Sequence, residues 1–101
     1  MKGMGMVETQ LTVRSEQGLH ARPADLFVRT VNRYKSDVWV RNVSTGSEAV
    51  NAKSILRVLS LGVYNGHVIH VSAKGVDESF AVREITRLVN SNFNESEQPE
   101  S

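Results

Sequence analysis

The chain has 101 residues, 40% hydrophobic and 23% charged, with a formal net charge of +1, which is one domain's worth of ordinary globular composition. The absence of cysteine excludes disulfides, thiolate zinc sites, iron–sulfur clusters and a cysteine nucleophile, and fits a reducing compartment. Three of the eleven acids (Glu95, Glu97, Glu100) lie in the last eight residues, so residues 1–93 hold twelve bases against eight acids, a mildly basic body. Such a body suits an acidic protein partner, while a pI near 8.2 is low for a dedicated nucleic-acid binder. The richest apolar stretch, Ile55 to Val63, is short and broken by Arg57, and Met-Lys-Gly-Met-Gly-Met at the N-terminus lacks a signal peptide's apolar core. The expectation is a cytoplasmic protein without membrane insertion.

Along the chain, residues 1–6 read as an extension, 7–93 as the domain and 94–101 as a disordered acidic tail. Val7, Thr9, Leu11 and Val13 alternate with polar residues, the pattern of a half-buried strand ended by Gly18. From Ala21 the period becomes helical, with Ala24, Phe27, Val28, Val31 and Tyr34 on one stripe. Residues 36–42 are β-rich around Val38-Trp39-Val40, and Ser-Thr-Gly-Ser at 44–47 predicts a hairpin into a strand over 48–51. The spacing predicts a short helix over 54–61, capped by Ser54 and stopped by Gly62. Residues 67–74 alternate again, with Ile69, Val71 and Ala73 on one face. Gly75 then turns the chain, Asp77 is placed to cap a last helix, and Ala81, Ile85, Leu88 and Val89 form its stripe. The order β-α-β-β-α-β-α predicts an α+β fold: a split β-α-β arrangement of antiparallel strands with the helices on one face.

Three histidines are present. His67 and His70 are three apart on a predicted strand, so they point to opposite faces and do not chelate one ion. No metal or other cofactor is expected. His20 has a distinctive setting, following Gly18-Leu19 after a strand and preceding Ala-Arg-Pro-Ala at the start of an amphipathic helix. Pro23 favours helix initiation, and its missing N–H costs nothing in the first turn. His20 thus falls at or beside the N-cap, where backbone amides and the positive end of the helix dipole receive anions. Arg22 adds a forked, permanent cation suited to phosphate oxygens. The combination points to an imidazole that accepts a phosphoryl group and passes it on. No carboxylate base, P-loop or metal cluster accompanies it to activate ATP, so the protein reads as a stoichiometric carrier and not an enzyme with turnover of its own.

Gly18-Leu19-His20-Ala21-Arg22-Pro23-Ala24 resembles the active-site signature of HPr, the histidine-containing phosphocarrier family of the bacterial phosphoenolpyruvate:sugar phosphotransferase system. A second block, Asn51-Ala52-Lys53-Ser54-Ile55-Leu56 with Leu59-Ser60-Leu61-Gly62-Val63, is similar to that family's serine-site signature, and residues 71–78 resemble its junction into the last helix. The resemblance implies an open-faced β-sandwich, with four antiparallel strands in the order 1-4-2-3 under three helices. It implies that enzyme I, itself phosphorylated, transfers phosphate to Nδ1 of His20, that Arg22 contacts the phosphate, and that sugar-specific IIA components receive it. Ser54 matches the serine modified by an ATP-dependent HPr kinase/phosphorylase, and in some lineages the serine-phosphorylated form is corepressor of a catabolite-control regulator. Ile55, Leu56 and Leu59 are expected to form an apolar docking patch with Arg29 and Arg33 on its rim, and the carrier is expected to act as a monomer.

Two residues depart from the family pattern. Arg57 adds charge to the docking helix, and Asp25 stands where it can pair with Arg22 and compete with phosphate. A phosphocarrier of a nitrogen-related regulatory branch is the nearest alternative. An RNA-binding sheet domain shares the β-α-β-β-α-β order, but its base-stacking aromatics are missing here: Trp39 stands alone and reads as core or as cover for a strand neighbour.

Overall fold

The computed structural model describes residues 6–94, so the extension before Met6 and the acidic tail after Asn94 lie outside the described residues. The elements are β1 (Val7–Thr12), α1 (Ala21–Val31), β2 (Asp37–Asn42), β3 (Val50–Asn51), α2 (Ile55–Leu59), β4 (Val68–Lys74) and α3 (Glu78–Asn90). They form a four-stranded sheet in the order β1-β4-β2-β3, every neighbouring pair antiparallel. β4 therefore lies between β1 and β2, with Val71 opposite both Thr9 and Val40. The expected architecture, an open-faced sandwich, is present.

Strand alternation sets the two faces. Leu11, Val38, Val40, Ile69, Val71 and Ala73 are buried beneath the helices. α3 packs over β1 and β4 and against α1, while α1 also meets α2, which lies beside β3. Phe27 is wholly buried in this core together with Leu19, Val31, Val58 and Ile85. On the uncovered face, Trp39 is half-buried opposite Ser72 and Asn51. The tryptophan belongs to the open side of the sheet and not to its core.

Several local expectations are corrected by tertiary contacts. The predicted 48–51 strand pairs only through Val50 and Asn51. The helix predicted over 54–61 stops at Leu59, and Leu61 is buried beyond it. Val82 is buried on α3, while Leu88 lies only partly buried at the core margin. Asp77 occupies the N-cap position of α3 without capping it by its side chain. Its carboxylate instead accepts from the Lys35 and Ser36 amides, each at 2.9 Å, and from the Ser36 hydroxyl at 2.6 Å. Those bonds, led by the Ser36 hydroxyl, hold the Asp77 carboxyl below the usual aspartate range. The residue clasps the α1–β2 loop to the α3 start.

Candidate functional site

The loop from β1 to α1 is fixed residue by residue. The Gly18 amide donates to the Ser15 carbonyl at 2.9 Å, and the Ser15 hydroxyl accepts from the Gln17 amide at 3.1 Å, closing a tight turn. Gly18 has φ +64°, and a Cβ there would stand 2.2 Å from the Val63 carbonyl oxygen. Only glycine permits both the left-handed backbone and this close approach. Leu19 is wholly buried, and its amide donates to that same carbonyl at 2.9 Å. The next residue, His20, is thereby delivered to the surface half-buried, with extended backbone at the N-cap of α1.

The His20 side chain does not cap α1. The Ala24 amide reaches the His20 carbonyl at a long 3.4 Å, and Pro23, buried in the first turn, has no N–H to satisfy. Ala21 adopts φ +51°, a left-handed conformation that costs a non-glycine residue about 1–2 kcal/mol. This helix start is strained, and the residue at its N-cap supplies no side-chain acceptor to it.

The His20 Nδ1 lies 3.1 Å from the Gln17 carbonyl oxygen. A carbonyl only accepts, so in this pose Nδ1 carries the proton and the lone pair is at Nε2. Arg22 is exposed and lines a cleft of about 380 Å³ with Ser15, Glu16, Gln17, Pro23, Asn92 and Phe93. Gln17 thus contacts the imidazole through its carbonyl and also lines the arginine cleft, whose lining is completed by Asn92 and Phe93 just beyond α3. Asp25 makes an ion pair with Arg29 at 3.1 Å, one turn onward, and not the expected pair with Arg22.

The sequence reading missed Tyr64. Its ring centroid is 5.3 Å from that of His20, with the planes inclined by 33°. The signal available was Val63-Tyr64-Asn65-Gly66-His67, an aromatic and a histidine flanking an Asn-Gly turn directly after the second motif. His67 precedes β4, and its Nδ1 accepts from the Asn42 side-chain amide and from the Tyr64 backbone amide, both at 3.1 Å. His70 is engaged separately, with Nε2 2.8 Å from a Glu8 carboxylate oxygen.

The second motif builds an adjoining surface. Ser54 caps α2, its hydroxyl accepting from the Arg57 amide at 3.3 Å. The Asn32 side chain donates to the Lys53 carbonyl at 3.1 Å, and the Lys53 ammonium donates to the Tyr34 carbonyl at 2.8 Å, anchoring the start of α2 to the end of α1. Leu56 is 75% exposed and Ile55 is 38% exposed, while Leu59 is half-buried. The expected basic rim divides. Arg29 is paired with Asp25, and Arg33 lines the groove between α1 and α3 with Glu84 and Arg87. There the Arg87 guanidinium donates to Glu84 at 2.7 Å and holds that carboxyl below the usual range. Arg57 turns toward β3, lining a hollow with Trp39, Val50 and Asn51.

The fold is an open-faced sandwich domain that presents one half-buried imidazole at the start of α1. Residues 7–91 match the family described as "PTS HPr component phosphorylation site". The chain is 36% identical over 92 residues to phosphocarrier protein HPr of Neisseria meningitidis serogroup A, covering 91% of this chain and all of that one. It is 35% identical over 80 residues to the multiphosphoryl transfer protein of Escherichia coli O157:H7, covering 79% of this chain but only 21% of that longer protein. The crystal structure of HPr-C-His from Thermoanaerobacter tengcongensis aligns with a TM-score of 0.84 at 42% identity, over 89% of this chain and 98% of that one. The chain belongs to the HPr family, the phosphocarriers of the phosphotransferase system. Among the described residues no helix is long and apolar enough to cross a membrane.

Proposed function

We propose that His20 is the residue that takes up and releases the phosphoryl group, receiving it from enzyme I and donating it to IIA components in the cytoplasm. The observation that carries this reading is the half-buried imidazole at the uncapped start of α1, next to the cleft lined by Arg22. A ring nitrogen of His20 uses its lone pair to form a new P–N bond while the bond between phosphorus and the donor atom breaks. The donor atom keeps that electron pair and takes up a proton, and His20 gives up one ring proton. Transfer to Nδ1 requires the ring first to leave the Gln17 carbonyl, because that bond places a proton on the attacking atom. Arg22 then holds phosphate oxygens from the cleft side. The protein is consumed and regenerated with each phosphate and has no turnover of its own.

Ile55, Leu56 and Leu59 are the docking patch for these partners, and the charge contributed from α1 is smaller than composition implied, since Arg29 is compensated by Asp25. Ser54 is a regulatory site for an HPr kinase/phosphorylase. A phosphate on it would remain at a helix start, where charge is tolerated, and would repel acidic partners from the neighbouring leucines.

Incubation with phosphoenolpyruvate and enzyme I should give one acid-labile, base-stable phosphate per chain. Full labelling of a His20→Ala variant would remove His20 from the mechanism. Wild-type enzyme I affinity in a Leu56→Glu variant would remove the docking patch.

A further inference from the structure

We propose that Tyr64 is a positioning residue for transfer at His20, an aromatic shelf against which the imidazole turns, with His67 fixing where that shelf stands. The proposal rests on His20 being the acceptor.

Two restraints hold the imidazole in its observed pose: the Gln17 carbonyl at Nδ1 and the Tyr64 ring, tilted by 33° beside it. The first must open before Nδ1 is available to phosphorus. The second need not, because a ring can slide or swivel against an aromatic face and remain in contact with it. Tyr64 therefore limits the torsion of the freed imidazole during the interval when its nitrogen is reactive. Reaction rates depend steeply on such alignment.

A shelf requires a fixed support, and Tyr64 is 62% exposed. The support comes from the backbone and from a second imidazole. The preceding residue's carbonyl accepts from Leu19, and the Tyr64 carbonyl accepts from the His67 amide at 3.0 Å, closing the Asn65-Gly66 turn. Next to that turn, the Gly66 amide donates to Val13 at 2.6 Å and the Val13 amide donates to His67 at 2.9 Å, lacing the loop to the end of β1. The His67 ring stands edge-on to Tyr64 at 5.7 Å and 78°, so the phenol contacts two imidazoles. His67 is anchored in turn by Asn42, which is wholly buried and also donates to the Leu61 carbonyl at 3.2 Å. A continuous set of contacts runs from the core through Asn42, His67 and Tyr64 to His20. Because both donors converge on Nδ1 of His67, that nitrogen is the acceptor and the ring proton is on Nε2.

The test uses the full chain. Single-turnover transfer from radiolabelled phospho-enzyme I is measured for wild type, Tyr64→Ala, Tyr64→Phe and His67→Ala. In parallel, nitrogen-15 NMR of the histidine rings reads the His20 tautomer without any phosphate present. Tyr64→Ala is expected to lower the maximal transfer rate about tenfold while the half-saturating enzyme I concentration stays within about twofold, and to average the His20 ring signals. Tyr64→Phe keeps the ring and should restore both readouts. His67→Ala should give a smaller loss in the same direction. An unchanged maximal rate with unaltered His20 ring signals in Tyr64→Ala overturns the proposal, as does a loss confined to the half-saturating concentration, which would make Tyr64 a docking contact. Failure of wild type to accept phosphate on His20 would instead refute the acceptor assignment, and the NMR arm would still read whether Tyr64 sets the imidazole's pose.

Discussion

Helix α2 begins at Ser54, whose hydroxyl takes the Arg57 amide, whereas α1 begins at His20, whose side chain takes no amide of its own helix. α3 offers a third arrangement, because Asp77 at its start directs its carboxylate away to Lys35 and Ser36. The residue type at a helix start therefore does not by itself say what that residue does. A serine there stabilises its own helix, an aspartate fastens a neighbouring loop, and a histidine turns to the carbonyl of the loop before it. Leaving α1 uncapped and Ala21 left-handed costs stability, and the surrounding loop carries that cost through Gly18, buried Leu19 and their shared contact with Val63.

The contrast breaks most readily at Gly18. Gly18→Ala places a side chain against the Val63 carbonyl and imposes a left-handed backbone on a non-glycine residue, and should destabilise the protein by roughly 2–4 kcal/mol in urea unfolding. A variant within a few tenths of a kcal/mol of wild type would show that the loop does not hold the strain. At the α1 start, if His20 is the acceptor as proposed, Arg22→Gln should slow transfer at least about tenfold, on the order of 1.4 kcal/mol in the barrier, with little change in stability. An unchanged rate would leave the guanidinium out of the chemistry. At the capped start, the effect should have the opposite character: Ser54→Ala should cost about 1 kcal/mol of stability and leave His20 phosphorylation near wild type.

The smallest effect is expected at the clasp, and it depends on pH. The Asp77 carboxyl is held below its ordinary value in the folded state, so its contribution is complete above the unfolded carboxylate range and disappears as pH falls through the depressed folded value. Asp77→Asn should melt below wild type near neutral pH, and the two melting curves should converge on acidification. A constant difference from neutral pH down to about 2 would mean that the charge of Asp77 is not what holds Lys35 and Ser36.

Period and punctuation made the element order legible from the chain itself, since alternation and helical spacing report which side chains face a core. The same local signals placed His20 and Ser54 at helix starts, and the two signature blocks were specific enough to identify the family. They were weaker wherever a partner distant in sequence decided the outcome. Asp77 had the residue type of a cap, but two amides and a hydroxyl from residues 35 and 36 compete successfully for its oxygens. Asp25 could reach Arg22 or Arg29 by helical spacing, and it pairs with Arg29. Charge along a chain carries no direction, so the sequence could not show that Arg33 lines the α1–α3 groove with Glu84 and Arg87.

The sequence by itself determined the strands, the helices, the glycine turn and the place of His20 at a helix start, because each depends on residues within a turn or two of one another. Only the tertiary structure decided what surrounds that imidazole. Tyr64 lies forty-four positions away in the chain and reaches His20 only because the loop before β4 is laced to the end of β1. Chain spacing encodes periodicity, whereas a contact between two loops depends on how the whole sheet closes, and no local pattern contains that information.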